Sequence, residues 1–228
     1  MTGPRGVGDD APMRPTWVLF DLNGTLTDPS ALGAPWGRPD LGVRILGDAV
    51  RGGMTDALTG GDRPFREHVR AAATVVAAQE GLDPDGVDAA MEAAAGLPAW
   101  PDARGALEAL RGGGYRLAVL TNSGAEAGRA TLEAAGLLDL FESVFGVDAV
   151  GTFKPDRRTY EHAVSGLDAA PGDVLLVAAH GWDVAGARAA GLGAAWIARG
   201  EVVLPPTTPE PDLTAPDLDG LAARLLAR

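Results

Sequence analysis

The chain has 228 residues, 46% of them hydrophobic and 22% charged, with a formal net charge of −12 and no cysteine. That is enough for one large domain, or a core with a smaller appendage, and enough apolar residue to bury a sizeable interior. The acidic balance argues against nucleic acid or an anionic membrane surface as partner, because tracking phosphates needs clustered Lys and Arg. Without cysteine there is no disulfide, thiolate metal site or cysteine nucleophile.

Residues 1–15, rich in Gly and Pro, read as a disordered leader without the basic-then-apolar order of a signal peptide. No run of about 18 apolar residues is present to span a membrane, so a cytoplasmic location is expected. Trp17 to Phe20 is an uncharged strand that ends abruptly in Asp21. Helical spacing follows through Val43, Leu46, Val50, Met54 and Leu58, broken by Gly60-Gly61-Asp62-Arg63-Pro64. A second helix runs from Phe65 to Glu80, and a third starts at Asp83-Pro84-Asp85. The alanine-rich stretch 71–78 could pack against a second copy of the chain as a homodimer, or form the insert's own small core.

After Trp100-Pro101-Asp102 the pattern becomes alternating helix and strand. Helix Arg104–Arg111 stops at three glycines, strand 115–120 ends in Thr121-Asn122, and helix 125–135 stops at Gly136. Strand 141–145, helix 159–165, strand Val174–Ala178, helix 184–190 and strand 194–198 follow. Pro205 to Pro216 reads as a proline-rich loop before a terminal helix, 218–226. Apolar strands alternating with helices predict a doubly wound parallel sheet, an α/β Rossmann-like core of residues 16–30 and 98–228. An all-helical cap domain, 31–97, interrupts it just after the first strand.

Ligands of open α/β sheets bind beyond the carboxyl ends of the strands. Three such ends here carry polar residues: Asp21, Thr121-Asn122, and the stretch reaching Asp183. Asp21 is the candidate nucleophile, able to form a covalent ester if ionised and held. Gly24 permits a tight turn, and Thr25 can bond the carboxylate or the backbone. Lys154, in Gly151-Thr152-Phe153-Lys154-Pro155, would keep Asp21 ionised and offset developing charge. Asp183 could pair with Lys154 or orient a water; otherwise it caps the helix beginning at Val184. Thr121 and Asn122 are neutral donors, or helix caps.

Phe20-Asp21 with Gly24-Thr25-Leu26, Leu120-Thr121-Asn122, Lys154-Pro155 and Asp183 resemble, in order, the four motifs of the haloacid dehalogenase superfamily. The resemblance covers the whole α/β core and implies a hydrolase with an aspartyl-ester intermediate. Superfamily phosphatases have an aspartate two positions after the nucleophile, and usually a pair of acids in the fourth motif to hold magnesium. This chain has Asn23, which cannot give up a proton, and Ala179 in place of the first acid. The branch it resembles is that of the type II L-2-haloacid dehalogenases, whose halide leaves unprotonated and which need no cofactor. Trp100-Pro101-Asp102, Tyr160 six residues after Lys154, and Trp182-Asp183 before Gly186-Ala187 agree with that branch.

The resemblance implies that Asp21 attacks the halogen-bearing carbon of a small anionic organic substrate, and that water activated near Asp183 hydrolyses the ester. Asp21, Lys154 and Asp183 would be catalytic. Thr25, Asn23, Thr121, Asn122, Tyr160, His180 and Arg51 would surround the substrate, with Arg51 or Arg44 as the cap arginine that cradles its carboxylate. In that branch a serine and an asparagine commonly stand at Ala178 and His180. His180 could substitute as donor or base, or pack structurally beside Trp182. Two alternatives remain open here: a magnesium-dependent phosphatase using Asp21 and Asp183, and a non-catalytic ligand-binding relative.

Overall fold

The computed structural model describes residues 15–228, so the expected leader falls, but for Pro15, outside the described residues. The elements in order are β1 (Trp17–Phe20), α1 (Asp40–Thr59), α2 (Phe65–Glu80), α3 (Gly86–Ala94), α4 (Ala103–Gly112), β2 (Arg116–Thr121) and α5 (Ala125–Ala134). Then come β3 (Ser143–Gly146), α6 (Arg157–Gly166), β4 (Val174–Ala178), α7 (Gly181–Ala189), β5 (Gly193–Ile197), β6 (Leu213–Ala215) and α8 (Leu218–Leu226). The strands form one parallel sheet in the order β3-β2-β1-β4-β5-β6.

β1 is fully buried because both of its faces are covered. Val18 and Phe20 point to the side packed by Leu107 and Leu110 of α4 and Leu221 and Leu225 of α8. Trp17 and Leu19 point to the side packed by Tyr160 and Val164 of α6 and Val184 of α7. That two-residue alternation lets one short apolar run serve two cores. Strand order reverses between β1 and β4, the crevice where such sheets take ligands. Phe20 pairs with Val119 on one side and Val177 on the other, so Asp21 emerges between two neighbouring strand ends.

Two elements differ from the sequence expectation. Helix α7 begins at Gly181, three residues before Val184, which puts Asp183 inside the first turn; His180 is the N-cap position and supplies no side-chain cap. The proline-rich stretch contains β6, a three-residue strand whose Ala215 and Leu213 are buried. It sits at the sheet edge, where one side needs no backbone partner and flanking prolines are tolerated.

Helices α1 to α3 share an apolar cluster of their own, with Ile45, Ala49, Phe65, Val69, Ala73 and Val76. Ala72, Ala73 and Ala77 of the alanine-rich stretch turn into this cluster. Val147 and Phe153, and in part Trp182, enter it from the sheet-bearing part of the chain. The helices are thereby seated on the segment that follows β3 and on the first turn of α7. Among the described residues no helix is long and apolar enough to cross a membrane.

Candidate active site

Asp21 follows β1 and is nearly buried. Its Oδ1 accepts a hydrogen bond from Lys154 Nζ at 2.7 Å and its Oδ2 one from Thr25 Oγ1 at 2.7 Å. Thr25 can reach back because the chain turns at Gly24, where φ is 88°. The same hydroxyl oxygen accepts from the Ala179 N–H at 2.9 Å, which ties the turn to the end of β4. Lys154 has no exposure. Its ammonium also donates to Asp183 Oδ2 at 2.7 Å and to the Leu120 carbonyl at 3.0 Å, so all three protons are used. Asn122 Oδ1 accepts from the Lys154 backbone N–H at 2.8 Å, which fixes the loop beneath the ammonium. Tyr160 Oη donates to the remaining Asp183 oxygen at 2.6 Å. Gly186 leaves room for that phenol, since a Cβ there would collide with it.

Two carboxylates thus share one ammonium, out of water. Burial pushes the Asp21 carboxyl up, but the charge of Lys154, then His180 and the bonds from Lys154 and Thr25, outweigh it and hold the group below its ordinary value. Burial pulls the lysine down, and Asp183 and Asp21 together carry it above its usual value. Burial raises the Asp183 carboxyl above its ordinary value, the charge of Lys154 pulling it down and that of Asp21 pushing it up. The Tyr160 phenol is pushed well up by burial and by Asp183, so it stays a donor. Of the two carboxylates, Asp21 is the one that borders a pocket.

That pocket is small, about 10 Å³, and is lined by Asp21, Asn23, Leu46, Val50, Phe65, Thr121, Asn122, His180 and Trp182. A cavity of about 550 Å³ adjoins it at Asn23, Leu46 and Phe65. Another, of about 670 Å³, adjoins it at Leu46, Val50, His180 and Trp182. Asn23 and His180 meet here: His180 Nε2 lies 3.1 Å from the Asn23 carbonyl oxygen and 3.8 Å from Asp21 Oδ2. The imidazole stacks on Trp182 at 5.4 Å between centroids and 11° between planes.

Several expectations need correction. Tyr160 and Thr25 are fully buried and line none of the three cavities around Asp21; each bonds a carboxylate instead. Arg51 does not reach Asp21. It lies one residue beyond Val50, about 100° round the helix, is largely exposed, pairs with Asp48 and lines only the larger cavity. Arg44 pairs with Glu80 at 2.6 Å on the surface. Neither Thr121 nor Asn122 caps α5, whose N-cap is Gly124. Asp183 is fully buried, bonds Lys154 and Tyr160, and lines none of the cavities beside Asp21. Leu46, Val50 and Phe65, which sequence spacing assigns only to helix packing, form the roof over Asp21.

The cluster does not fit a magnesium ion. Such an ion facing a phosphate wants free carboxylate oxygens. Here Asp21 borders the pocket, Asp183 is wholly buried against Lys154 and Tyr160, and the neighbouring position is Ala179, so one carboxylate alone faces the space. Among the described residues no group of three or more His, Asp or Glu could hold a metal.

A buried carboxylate–ammonium–carboxylate chain at the switch point of a doubly wound sheet, roofed by helices inserted after the first strand, defines a class of α/β hydrolases built around an aspartate. A model of the haloacid dehalogenase-like hydrolases matches residues 15–191, and the chain belongs to that family. Haloacetate dehalogenase H-2 of Moraxella sp. (strain B) is 31% identical over 212 residues, 90% of this chain and 95% of that protein. (S)-2-Haloacid dehalogenase 1 of Pseudomonas sp. (strain CBS-3) is 38% identical over 103 residues, which span 45% of either chain. The structure of the L-2-haloacid dehalogenase of Xanthobacter autotrophicus with chloropropionic acid covalently bound superimposes with a TM-score of 0.81 at 26% identity, over 93% of this chain and 98% of that one.

Proposed function

We propose that the protein is a 2-haloacid dehalogenase working through an ester of Asp21. The ionised carboxylate displaces halide from the carbon next to the substrate's carboxylate, and water then hydrolyses the aspartyl ester to a 2-hydroxy acid. The observation that carries this is the Lys154–Asp21 bond of 2.7 Å in a water-excluded setting, with the free edge of the carboxylate on a pocket. A carboxylate attacks carbon only when ionised, partly desolvated and oriented, and this one is all three. Halide leaves without a proton, so an amide at Asn23 costs the reaction nothing.

Lys154 and Thr25 hold the nucleophile, and Asp183 with Tyr160 holds Lys154. Asn122 uses its amide oxygen on the Lys154 backbone, which leaves its NH₂ group as a donor for the substrate's carboxylate beside Thr121. Residues 31–97 serve as a cap whose apolar roof takes the substrate's hydrocarbon. The acid chemistry that a phosphatase needs is missing at Asn23 and Ala179.

Mass spectrometry of the intact protein after mixing with L-2-chloropropionate or with aryl phosphates tests the reading. An increment equal to the propionate unit on the peptide containing Asp21, lost in Asp21→Asn together with halide release, is the expected result. Magnesium-dependent phosphate release without such an increment would replace the dehalogenase by a phosphatase. An Asp21→Asn variant that turns over normally would remove Asp21 from the chemistry.

A further inference from the structure

We infer that His180 carries the proton traffic of the second half-reaction, delivering a proton to the oxygen that departs from Asp21 as its ester is hydrolysed. This rests on the aspartyl-ester reading above. Ester hydrolysis has two proton demands: one leaves the attacking water, and one must reach the departing oxygen. Every other polar side chain touching Asp21 is already committed. Lys154 has spent its three protons on Asp21, Asp183 and Leu120. Thr25 donates to Asp21 and accepts from Ala179. Asp183, behind the lysine, is closed off by Lys154 and Tyr160.

His180 is the remaining titratable group at the pocket. Its Nε2 stands 3.8 Å from Asp21 Oδ2, the oxygen not bound by the lysine. The Asn23 carbonyl at 3.1 Å keeps a proton on Nε2, and the stack on Trp182 fixes the plane of the ring. Gly24 makes the approach possible: a Cβ at that position would lie 2.7 Å from Nε2. The ring also borders the cavity of about 670 Å³, from which water can be drawn. The charged groups around this space are Asp21 at the end of β1, Lys154 before α6, Asp183 on α7, Arg51 on α1, and Arg199 and Glu201 after β5.

In the step, the water oxygen bonds to the Asp21 carboxyl carbon and its proton passes, through water of the adjoining cavity, to the unprotonated ring nitrogen, Nδ1. The bond from that carbon to Oδ2 then breaks. Oδ2 leaves as the hydroxyl of the product and takes the proton from Nε2. Asp21 is left as a carboxylic acid carrying the water oxygen; it ionises again beside Lys154 by returning a proton to the emptied Nε2, and Nδ1 releases its proton to water in the adjoining cavity. No oxidant or further reactant is needed.

The test is rapid-quench analysis of His180→Asn and His180→Gln with L-2-chloropropionate, following halide and the mass of the Asp21 peptide. The expected result is release of one halide per protein at close to the parental rate, then a steady rate lower by about 10²- to 10³-fold. The ester should accumulate on Asp21. Two variants are used so that a folding defect in one leaves the other to decide. An unchanged steady rate, or loss of the halide burst along with turnover in both folded variants, overturns the role of His180. A parent protein that never forms the ester overturns the aspartyl reading itself, a distinguishable failure.

Discussion

On the sheet side, Asp21 meets Lys154, Thr25 and, through the lysine, Asp183 and Tyr160, all of them buried and, Tyr160 apart, each held by at least two partners. On the helical side it meets Leu46, Val50 and Phe65, hydrocarbon with no charge among them. The first wall fixes protonation states and distances. The second excludes water and offers only shape. Reactivity and substrate choice are therefore written into separate parts of the chain, and each can be altered with limited damage to the other.

The most severe way to break the polar wall is Lys154→Met, which leaves two buried carboxylates without their cation. Removing one partner of a buried pair costs about 3–5 kcal/mol, read from denaturant unfolding near neutral pH. The signs follow from the directions of the shifts. A carboxyl lowered in the folded state stabilises above its unfolded pKa and loses this as pH falls through the folded value; a raised lysine stabilises below its unfolded pKa and loses this as pH rises through its folded one. The gap between parent and variant should thus be widest in between, and the parent's halide burst should be flat from about pH 5 to pH 9. A burst that titrates inside that interval would mean that the lysine does not set the charge of Asp21.

Tyr160→Phe is the next largest effect, because it strips one hydrogen bond from a charged acceptor. We expect a loss of about 1.5–3 kcal/mol in stability. Turnover should fall with KM unchanged, since Tyr160 borders no cavity; a change confined to KM would put the phenol in contact with substrate. On the other wall, Leu46→Val removes one methylene from the roof. The ratio of kcat/KM for 2-chlorobutyrate over 2-chloropropionate should rise roughly tenfold, the usual worth of such a group in an apolar pocket. An unaltered ratio would show that the roof does not read the substrate. Arg51→Ala is the smallest change: an exposed ion pair with Asp48 is lost, and both stability and KM should move by less than about 0.5 kcal/mol.

The sequence exposed the polar wall far better than the apolar one. Asp21, Lys154 and Asp183 are charges stranded at the ends of uncharged strands or in a proline-bounded loop, and a stranded charge demands a partner. Leu46 and Val50 carry no such mark, since spacing identifies a buried helix face without saying whether protein or ligand covers it. Tyr160 was legible as a site residue but not as the support of Asp183, because one helical face can turn toward a cavity or toward a neighbouring helix. Asp183 ahead of Val184 has the composition of a helix cap, yet tertiary pairing draws it inside α7, which then starts on Gly181. The short β6 is hidden among prolines that an edge position tolerates. Arg51 is marked only by its place early in the helical insert, and helix geometry turns it away from Asp21.

Phe153 and Lys154 are consecutive yet belong to different interiors. The phenyl ring sits among the helices, 6.2 Å from the Phe65 ring and 5.4 Å from the His68 ring, while the next side chain anchors the nucleophile. One peptide unit is the mechanical joint between them. A displacement of the helical layer that carries Phe153 along would be felt in the backbone of the cation beneath it, which makes this peptide a point where the two walls are not independent.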